Sequence, residues 1–392
     1  MLILLIATAS AVRAQAAVSW APGGSATGED LQIKIVTFGP GDDIASWFGH
    51  GAVLVENTRT GEKRVYNFGM FSFGPEMWPK FLMGRLEFWV GEASWPRTLQ
   101  VYRALNRDIR VQTLNLPPEK RLEMARALAV NVRPENRTYL YHHYFNNCVT
   151  RIRDLIDAAV DGQLRAQNQA LDTLTFRDHT RRHTEHNPYI DQILVFWMND
   201  EIDKPITLWD AMFLPTVMEA RLDAATYVNA EGKRVPLVAK KEVLYTARGR
   251  PPTPDRPSTR WPYTLLFGLV VGALPVGLAE WRRRRGSRLP RVLLGLHTFF
   301  VGLLYGLPAL ILFLMWTFTE HTVTWRNENL FFANPLTAAA IVLGPAIAWG
   351  SPRAARWMRL LWTVLCVTSA AGVLVKVLPW FDQDNLLPMT LL

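Results

Sequence analysis

Two cysteines stand among the 392 residues, and one of them, Cys148, is placed as a nucleophile would be. The stretch Cys148–Ala159 carries apolar residues at helical spacing, and Asn147 before it is a favoured N-cap residue. Free backbone N–H groups and the helix dipole stabilise a thiolate there, so we expect a lowered pKa for the Cys148 thiol. Cys366 lies in a long apolar run and offers no disulfide partner. The alternative for Cys148 is a small, buried apolar side chain.

A cysteine nucleophile needs a base, and His50 is the candidate. His50 follows Gly49 and opens an apolar run, Gly51–Glu56, which is typical of a strand. Its ring can therefore extend from a strand start toward a helix N-terminus. The two residues are 98 positions apart (148 − 50), so tertiary structure must bring them together. A polar turn residue is the alternative for His50. Asn67, on the return strand, is our candidate for the group that orients the imidazole, and Glu56 is the second choice.

Polar and aromatic residues near these positions are candidates to line a substrate cleft. His142 and His143 stand just before Tyr144, Asn146 and Asn147 in the sequence. The residues that we expect to bind substrate are Tyr144, Asn146, Asn147, Phe48 and Tyr66.

A second group of histidines raises the question of a metal site. His179 and His183 are four residues apart, as metal ligands on a helix can be, and His186 follows them. Arg181 and Arg182 intervene, and no strong ligand set adjoins them, so a solvated helix face is the favoured interpretation. No nucleotide-binding or Gly-x-Ser-x-Gly motif is present. We expect neither a metal nor a cofactor.

Strand and helix patterns alternate from about residue 30 to residue 245. Strands are predicted over Leu31–Phe38, over a hairpin formed by Gly51–Glu56 and Arg64–Phe68, and over Thr98–Ala104 and Arg110–Leu116. Helices are predicted over Lys120–Asn131, opened by two prolines, and over Cys148–Ala159. From Gly162 to about Tyr245 the chain is predicted to be mostly helical.

Four long apolar runs in the C-terminal third predict membrane spans. They are Trp261–Ala279, Val292–Phe318, Phe331–Gly350 and Leu360–Val375. Arginine-rich loops separate the first two runs and the last two, and the positive-inside rule places both loops in the cytoplasm. The apolar start of the chain, with small residues after it, predicts a secretory signal, although its basic n-region is missing. Both signals place the domain before Trp261 outside the cytoplasm.

Composition excludes several classes of protein. The apolar fraction of 49% and the 15 tryptophans exclude a disordered chain, and two cysteines exclude a disulfide scaffold. The net charge of +9 includes the arginines between spans, and no basic stripe with interleaved aromatics is present. We therefore expect no nucleic-acid partner. The mean hydropathy of +0.04 averages a water-exposed part with a membrane part.

Several motifs together carry a resemblance to a known family. They are Phe48-Gly49-His50, the run Tyr66–Phe71, Phe81–Leu86, the run Tyr144–Asp154 and, more weakly, Ile202–Pro215. Asn334-Pro335-Leu336 and Asp384–Pro388 extend the match into the C-terminal part. The chain resembles the DUF4105 family, named for the N-terminal periplasmic domain of Lnb-type lipoprotein N-acyltransferases, over most of its mature length.

The resemblance implies a fold and a chemistry. It implies an α+β, circularly permuted papain-like domain of the NlpC/P60 type with a helical extension, followed by four transmembrane helices. The implied reaction transfers an acyl chain from a membrane phospholipid, through a Cys148 thioester, to the N-terminal amine of a lipoprotein. His50 would deprotonate the thiol and later the amine. The implied location is the bacterial inner membrane, with the catalytic domain in the periplasm.

Two other functions stay open at this stage. A cysteine amidase or peptidase acting on the cell wall needs the same Cys–His pair, although four spans are more than an anchor requires. A non-catalytic assembly or channel protein is the other, but the runs carry almost no ionisable residues.

The expected domain boundaries follow from these patterns. They are a signal peptide over 1–17, the thiol domain over 18–160, the helical extension over 161–247, a proline-rich linker over 248–260, four spans over 261–380 and a periplasmic tail over 381–392.

Overall fold

A computed structural model describes residues 17–391 except 73, 75, 76 and 286. The predicted signal peptide lies outside the described residues apart from its last position. The chain forms two compact units. Unit 1 comprises Met1–Phe81, Arg85–Thr173 and Pro205–Pro252. Unit 2 comprises Leu82–Gly84, Leu174–Lys204 and Thr253–Leu392.

Unit 1 is built on a seven-stranded antiparallel sheet. Its strands are β1 (Leu31–Phe38), β2 (His50–Asn57), β3 (Lys63–Met70), β4 (Glu87–Ser94), β5 (Ile109–Leu114), β6 (Thr138–Leu140) and β9 (Val238–Tyr245). Their order across the sheet is β6-β4-β3-β2-β1-β5-β9. The predicted first strand and hairpin are confirmed, and β2 and β3 pair with Ala52 opposite Asn67. Two short strands, β7 (Thr226–Val228) and β8 (Arg234–Pro236), form a separate two-stranded sheet and precede β9 in the chain.

Helices cover both faces of this sheet, so its central strands are buried on both sides. The helices of unit 1 are α2 (Trp95–Ala104), α3 (Pro118–Asn131), α4 (Cys148–Ala159), α5 (Gln163–Ala166), α8 (Leu208–Ala211) and α9 (Pro215–Ala224), and α1 (Met77–Leu82) begins in unit 1 and ends in unit 2. Ile33 and Ile35 face a core completed by α3, α4 and α9. Val36 and Phe38 face the other side, where α2 packs. This arrangement explains the near-continuous burial of β1.

One predicted strand of unit 1 is wrong. Residues Thr98–Ala104 belong to α2, which opens with proline in its first turn. Trp95, Leu99 and Tyr102 recur at helical spacing and pack on the sheet core. Helical burial of these three side chains therefore outweighs the β-prone character of the segment.

The stretch from Gly162 to Tyr245 is less helical than predicted. Its last twenty residues form β7, β8 and β9, and β9 completes the sheet by pairing with β5. Within the same stretch, Leu174–Lys204 belongs to unit 2, whereas the residues on either side belong to unit 1. The structure thus divides the segment that the sequence predicts to be a single extension.

Unit 2 contains the long apolar helices. Its helices are α6 (Phe176–Thr184), α7 (Pro188–Trp197), α10 (Trp261–Arg285), α11 (Arg288–Val301), α12 (Leu307–Phe318), α13 (Ala340–Trp349), α14 (Pro352–Val375) and α15 (Leu386–Leu391). A π-helical turn, Gly302–Gly306, joins α11 to α12 as one 31-residue span. Among the described residues, three helices are long and apolar enough to cross a membrane. A fourth span results if Thr322–Phe331 and Pro335–Trp349, bent by 73°, count as one.

A seam of small residues packs α11 and its π-helical turn against α13 and the turn before it. A Cβ atom on Gly302 would lie 2.6 Å from the Ile341 amide nitrogen, and one on Gly295 would lie 2.6 Å from the Gly344 carbonyl oxygen. Only glycine permits such backbone contact, which is how membrane helices gain packing energy without a hydrophobic driving force.

Polar contacts tie Leu174–Lys204 to the rest of unit 2. The Asn199 side chain donates to the carbonyl oxygens of Thr322 and Trp325 at 3.1 and 2.9 Å. Within the segment itself, buried Arg177 pairs with Asp203 and donates to the Val195 carbonyl oxygen at 3.0 Å. These contacts satisfy buried polar groups of the segment within the same unit as the apolar helices.

Candidate thiol site

Asn147 fixes the start of α4, where Cys148 is the first helical residue. The Asn147 side-chain oxygen accepts from the backbone amides of Val149 and Thr150 at 2.8 and 2.9 Å. The Asn147 backbone amide donates to the Thr150 hydroxyl at 2.8 Å. This capping box confirms the predicted N-cap. The Asn147 side-chain nitrogen is also used, because it donates to the carbonyl oxygens of His143 and Phe213. The residue therefore holds the helix start in place and has no polar atom left for substrate.

The structure brings His50 and Asn67 together at the neighbouring strand ends. His50 Nε2 lies 3.3 Å from Asn67 Oδ1. Since the amide oxygen can only accept, this arrangement puts the proton on Nε2 and leaves Nδ1 as the basic nitrogen. The imidazole stacks nearly parallel to the rings of Phe38 and Tyr102, at centroid distances of 6.0 and 6.4 Å. The ring is thus oriented by one hydrogen bond and by aromatic contact.

Cys148 lies against the backbone that flanks this pair. The Gly51 amide, next in the chain after His50, lies near enough to the Cys148 sulfur to lower the pKa of the thiol. On the adjacent strand, a Cβ built on Gly69 would lie 3.5 Å from Cys148 Cβ. Gly69 has a φ of +82°, which an L-residue rarely adopts, and the β3–β4 register shifts between Asn67 and Met70. The glycines leave room for the thiol beside the imidazole strand.

Electrostatics at the site differ from the expectation for a helix N-terminus. Burial raises the pKa of the Cys148 thiol. The backbone amides of Gly51, Val149 and Cys148 and the Arg107 charge each lower this pKa, but by less than burial raises it. Burial also lowers the pKa of His50 to about 4, assisted by Arg107 and opposed by the Asn67 hydrogen bond. Desolvation outweighs the helix dipole here. Near neutral pH the site therefore holds a neutral thiol and a neutral imidazole, which suits proton transfer on demand.

Two buried residues that the sequence reasoning missed adjoin the site. Arg107 donates to the Gly39 carbonyl oxygen at 2.7 Å and lies over the Tyr102 ring at 4.9 Å, and its Nη2 has no hydrogen-bond partner among the described residues. Tyr139 places its hydroxyl 3.9 Å from a Cβ built on Gly69, and the Gly69 backbone and the Cys148 thiol both act on the pKa of this hydroxyl. No motif marks Arg107, whereas Tyr139 stands nine residues before the thiol in an aromatic run.

The surroundings of the thiol are aromatic and apolar. Cys148 packs on the main core together with Phe88 and Tyr141. The Phe88 ring lies 4.3 Å from that of Tyr141 and 5.1 Å from that of Phe71. These aromatic contacts are compatible with a hydrocarbon chain.

Several residues that we expected to bind substrate make contacts within the fold. Tyr66 is fully buried on the sheet face opposite to Asn67, and its hydroxyl accepts from Trp20 Nε1 at 2.9 Å. Tyr144 is also buried, with its ring 5.3 Å from that of Phe213. Asn146 donates to the Leu140 carbonyl oxygen and accepts from Arg151.

Two further expectations concern Phe48 and Glu56. Phe48 is half-buried, with its ring 4.5 Å from that of His143. Glu56, the second choice as imidazole partner, lies six residues further along β2 and pairs with Lys34 and Lys63 at 2.6 and 2.8 Å. Six strand residues span about 20 Å, so Glu56 is out of reach of His50.

The remaining histidines are packed rather than arranged as ligands. Burial lowers the pKa of His143 to about 4, and His142 Nδ1 accepts from the amides of Tyr144 and Phe145. His179 and His183 are buried in unit 2, which corrects the expectation of a solvated face. No group of three or more possible metal ligands occurs among the described residues.

Fold and site together define a class: a membrane-spanning protein that carries a mixed α/β domain with a partly buried cysteine at a helix start and a histidine–asparagine pair on two adjacent strands. Comparison with protein families then identifies the chain. The model of the Lnb N-terminal periplasmic domain matches residues 21–182, and that of the Lnb transmembrane domain matches residues 257–383. The chain belongs to the Lnb-type proteins. Neither curated proteins nor solved structures gave a significant match.

Proposed function

We propose that the protein is a cysteine-dependent acyltransferase that moves an acyl chain from a membrane phospholipid to the N-terminal amine of a lipoprotein. The observation that carries the proposal is the partly buried thiol at the start of α4, which packs on the apolar core and borders the backbone of the two strands that bear His50 and Asn67. Family membership supports a periplasmic domain on a membrane protein.

In the first half-reaction, the Cys148 sulfur attacks the ester carbonyl carbon of the phospholipid. His50 Nδ1 takes the thiol proton as the S–C bond forms, and passes it to the glycerol oxygen as the ester C–O bond breaks. Lysophospholipid leaves and the acyl chain remains as a thioester. The side-chain oxygen of Asn67, Oδ1, holds the imidazolium in the orientation that both proton transfers need.

In the second half-reaction, the lipoprotein amine attacks the thioester carbonyl. A C–N bond forms, the C–S bond breaks, and His50 accepts a proton from the amine and returns it to the sulfur. The product is an amide, and the enzyme regains its resting neutral pair. No oxidant, metal or further reactant enters the balance.

The apolar setting of Cys148 favours acyl transfer over cell-wall hydrolysis. An amidase acting on peptide or sugar needs polar groups to replace the hydration of its substrate. The Gly69 backbone borders this thiol, and Cys148 packs on the same apolar core as Phe88 and Tyr141. An acyl chain loses no hydrogen bonds on entering such surroundings.

The location proposed for the protein is the inner membrane, as a multi-pass protein. Arg282–Arg285 end the first long helix, and Arg353 and Arg356 stand in the first turns of the last one. The positive-inside rule assigns both to the cytoplasmic side, which leaves the thiol-bearing unit in the periplasm.

Mass spectrometry of lipoprotein N-termini tests the proposal, in cells that lack their own N-acyltransferase and carry this protein. The expected result is an N-acylated lipoprotein terminus with the wild-type chain and none with Cys148→Ala. Cys366→Ala is the matched control, because it removes the other thiol, which is exposed on a long apolar helix, and should leave acylation unchanged.

Absence of N-acylation with the wild-type chain contradicts the lipoprotein acceptor. Intact acylation after Cys148→Ala contradicts the thioester mechanism. Release of cell-wall peptides that depends on Cys148, without any acylated lipoprotein, would establish the hydrolase instead.

A further inference from the structure

A short segment between β3 and β4 exposes large apolar side chains. This apolar segment, Met77–Met83, contains α1 and the residue after it. Four of its side chains are exposed: Trp78 by 55%, Phe81 by 42%, Leu82 by 64% and Met83 by 46%. Soluble domains rarely leave such residues contiguous at the surface, so the patch indicates a binding partner.

The end of the apolar segment is held where a membrane span ends. The chain enters unit 2 over Leu82–Gly84. The Glu320 amide donates to the Met83 carbonyl oxygen at 2.8 Å. Glu320 stands two residues after Phe318, the last residue of the 31-residue span. A residue bonded at that position lies at the level where the span leaves the hydrocarbon.

The packing at Gly84 shows that this contact is built into the fold. Gly84 has a φ of +85°, and a Cβ on it would lie 2.6 Å from both the Glu320 carbonyl carbon and the His321 amide nitrogen. No other residue fits without displacing the backbone. The chain at Met83 and Gly84 is therefore fixed at the end of the span.

Composition favours lipid as the occupant. Tryptophan is enriched at the membrane–water interface, where its ring and N–H suit the two phases. Lys80, on the same helix, reaches Glu87 at 2.6 Å and keeps a charge beside the apolar side chains. A short helix that combines aromatic, leucine and lysine residues is typical of an element lying in the interface.

We propose that the apolar segment inserts into the outer surface of the bilayer and delivers the acyl chain of a phospholipid toward Cys148. The delivery step rests on the proposed function; the insertion does not. Six residues, 71–76, link Met70 at the end of β3 to the segment, and Gly69 before it borders the thiol. Met70 is itself partly exposed and extends the apolar surface along the chain from the thiol.

Spin-label accessibility in proteoliposomes tests the insertion without any assay of activity. The full chain, with Cys148→Ser and Cys366→Ser, is labelled at Trp78→Cys or at Leu82→Cys. Val243→Cys is the matched control: it is equally exposed, and it lies on β9 at the opposite edge of the sheet.

Labels at positions 78 and 82 are expected to collide more often with lipid-soluble oxygen than with a water-soluble nickel chelate. The label at position 243 is expected to collide more often with the chelate. Equal chelate access at all three positions overturns the insertion. Protection of 78 and 82 from both reagents overturns it too, since a protein partner would then cover the segment.

Two acyl donors test the delivery. The double variant Trp78→Ser, Phe81→Ser should slow acylation of Cys148 by bilayer phospholipid at least tenfold. It should leave acylation by a water-soluble short-chain thioester within twofold of wild type. Equal loss with both donors, or no loss with either, overturns delivery. If the wild-type chain accepts acyl groups from neither donor, the proposed function and the delivery step fail together, and the insertion is still decided by the spin labels.

Discussion

The lowered pKa of His50 leads to a sharp prediction for the pH dependence of acylation. A free imidazole titrates at 6.5, whereas burial and the Arg107 charge bring His50 to about 4. The difference, 6.5 − 4, corresponds to roughly 3 kcal/mol of disfavoured protonation. At pH 5.5 about 97% of His50 should be in the basic form, compared with about 9% for an unperturbed histidine. Activity should thus persist at pH 5.5 and fall only near pH 4.

Single-turnover acylation of Cys148 by a soluble thioester measures this profile in the reconstituted protein. The pH runs from 8 to 3.5, with circular dichroism at each point to confirm that the domain remains folded. Asn67→Ala removes the hydrogen bond that raises the pKa, so its acid limb should move to lower pH. Arg107→Gln removes the charge that lowers it, so its limb should move to higher pH. An acid limb between pH 6 and 7 in the wild-type protein would refute the buried-imidazole argument.

Four further predictions concern stability and rate. Asn147→Ala should cost about 3 kcal/mol of unfolding free energy, from a lost cap and two lost side-chain donations; denaturant unfolding checks it, and a loss below 1 kcal/mol would contradict the capping role. Tyr139→Phe removes only the hydroxyl that lies by the Gly69 backbone near Cys148, so acylation should slow roughly tenfold. An unaltered rate would exclude the hydroxyl from the chemistry. Gly302→Leu should lower the melting temperature in detergent, whereas Gly277→Leu, which meets open space, should not. The pKa of His143 is about 4 in the folded protein and 6.5 in the unfolded chain. Its contribution of roughly 3 kcal/mol to the unfolding free energy is therefore present above pH 6.5 and is lost as the pH falls toward 4. In His143→Leu, the unfolding free energy should fall less steeply over this pH range.

The parts of the fold that depend on local pattern were predictable. The bounds of β1 and of α4 agree with the sequence pattern at both ends, because alternation and helical spacing are properties of neighbouring residues. The Asn147 cap followed for the same reason. The pairing of His50 with Asn67 followed from the hairpin, since its register is set within a short length of chain.

Properties that depend on distant residues were not predictable. The raised pKa of Cys148 results from burial among side chains far away in sequence, which a helix-terminus argument does not include. Tyr66 was expected to bind substrate, but alternation along β3 places it opposite to its neighbour Asn67, in the main core. Nothing in the vicinity of Arg107 indicates that folding would bury its charge near the thiol.

The discontinuity of unit 2 has a consequence for how the protein matures. Its three pieces, Leu82–Gly84, Leu174–Lys204 and Thr253–Leu392, are interleaved with unit 1 along the chain. During synthesis the first two pieces emerge long before the apolar helices that complete their unit exist. The hydrogen bonds of the Asn199 side chain can therefore form only after the backbone around Thr322, over a hundred residues later, has been synthesised. Unit 2 can therefore be completed only after its C-terminal piece has been synthesised, and a fragment ended at Pro252 would lack the contacts that Asn199 makes with Thr322 and Trp325.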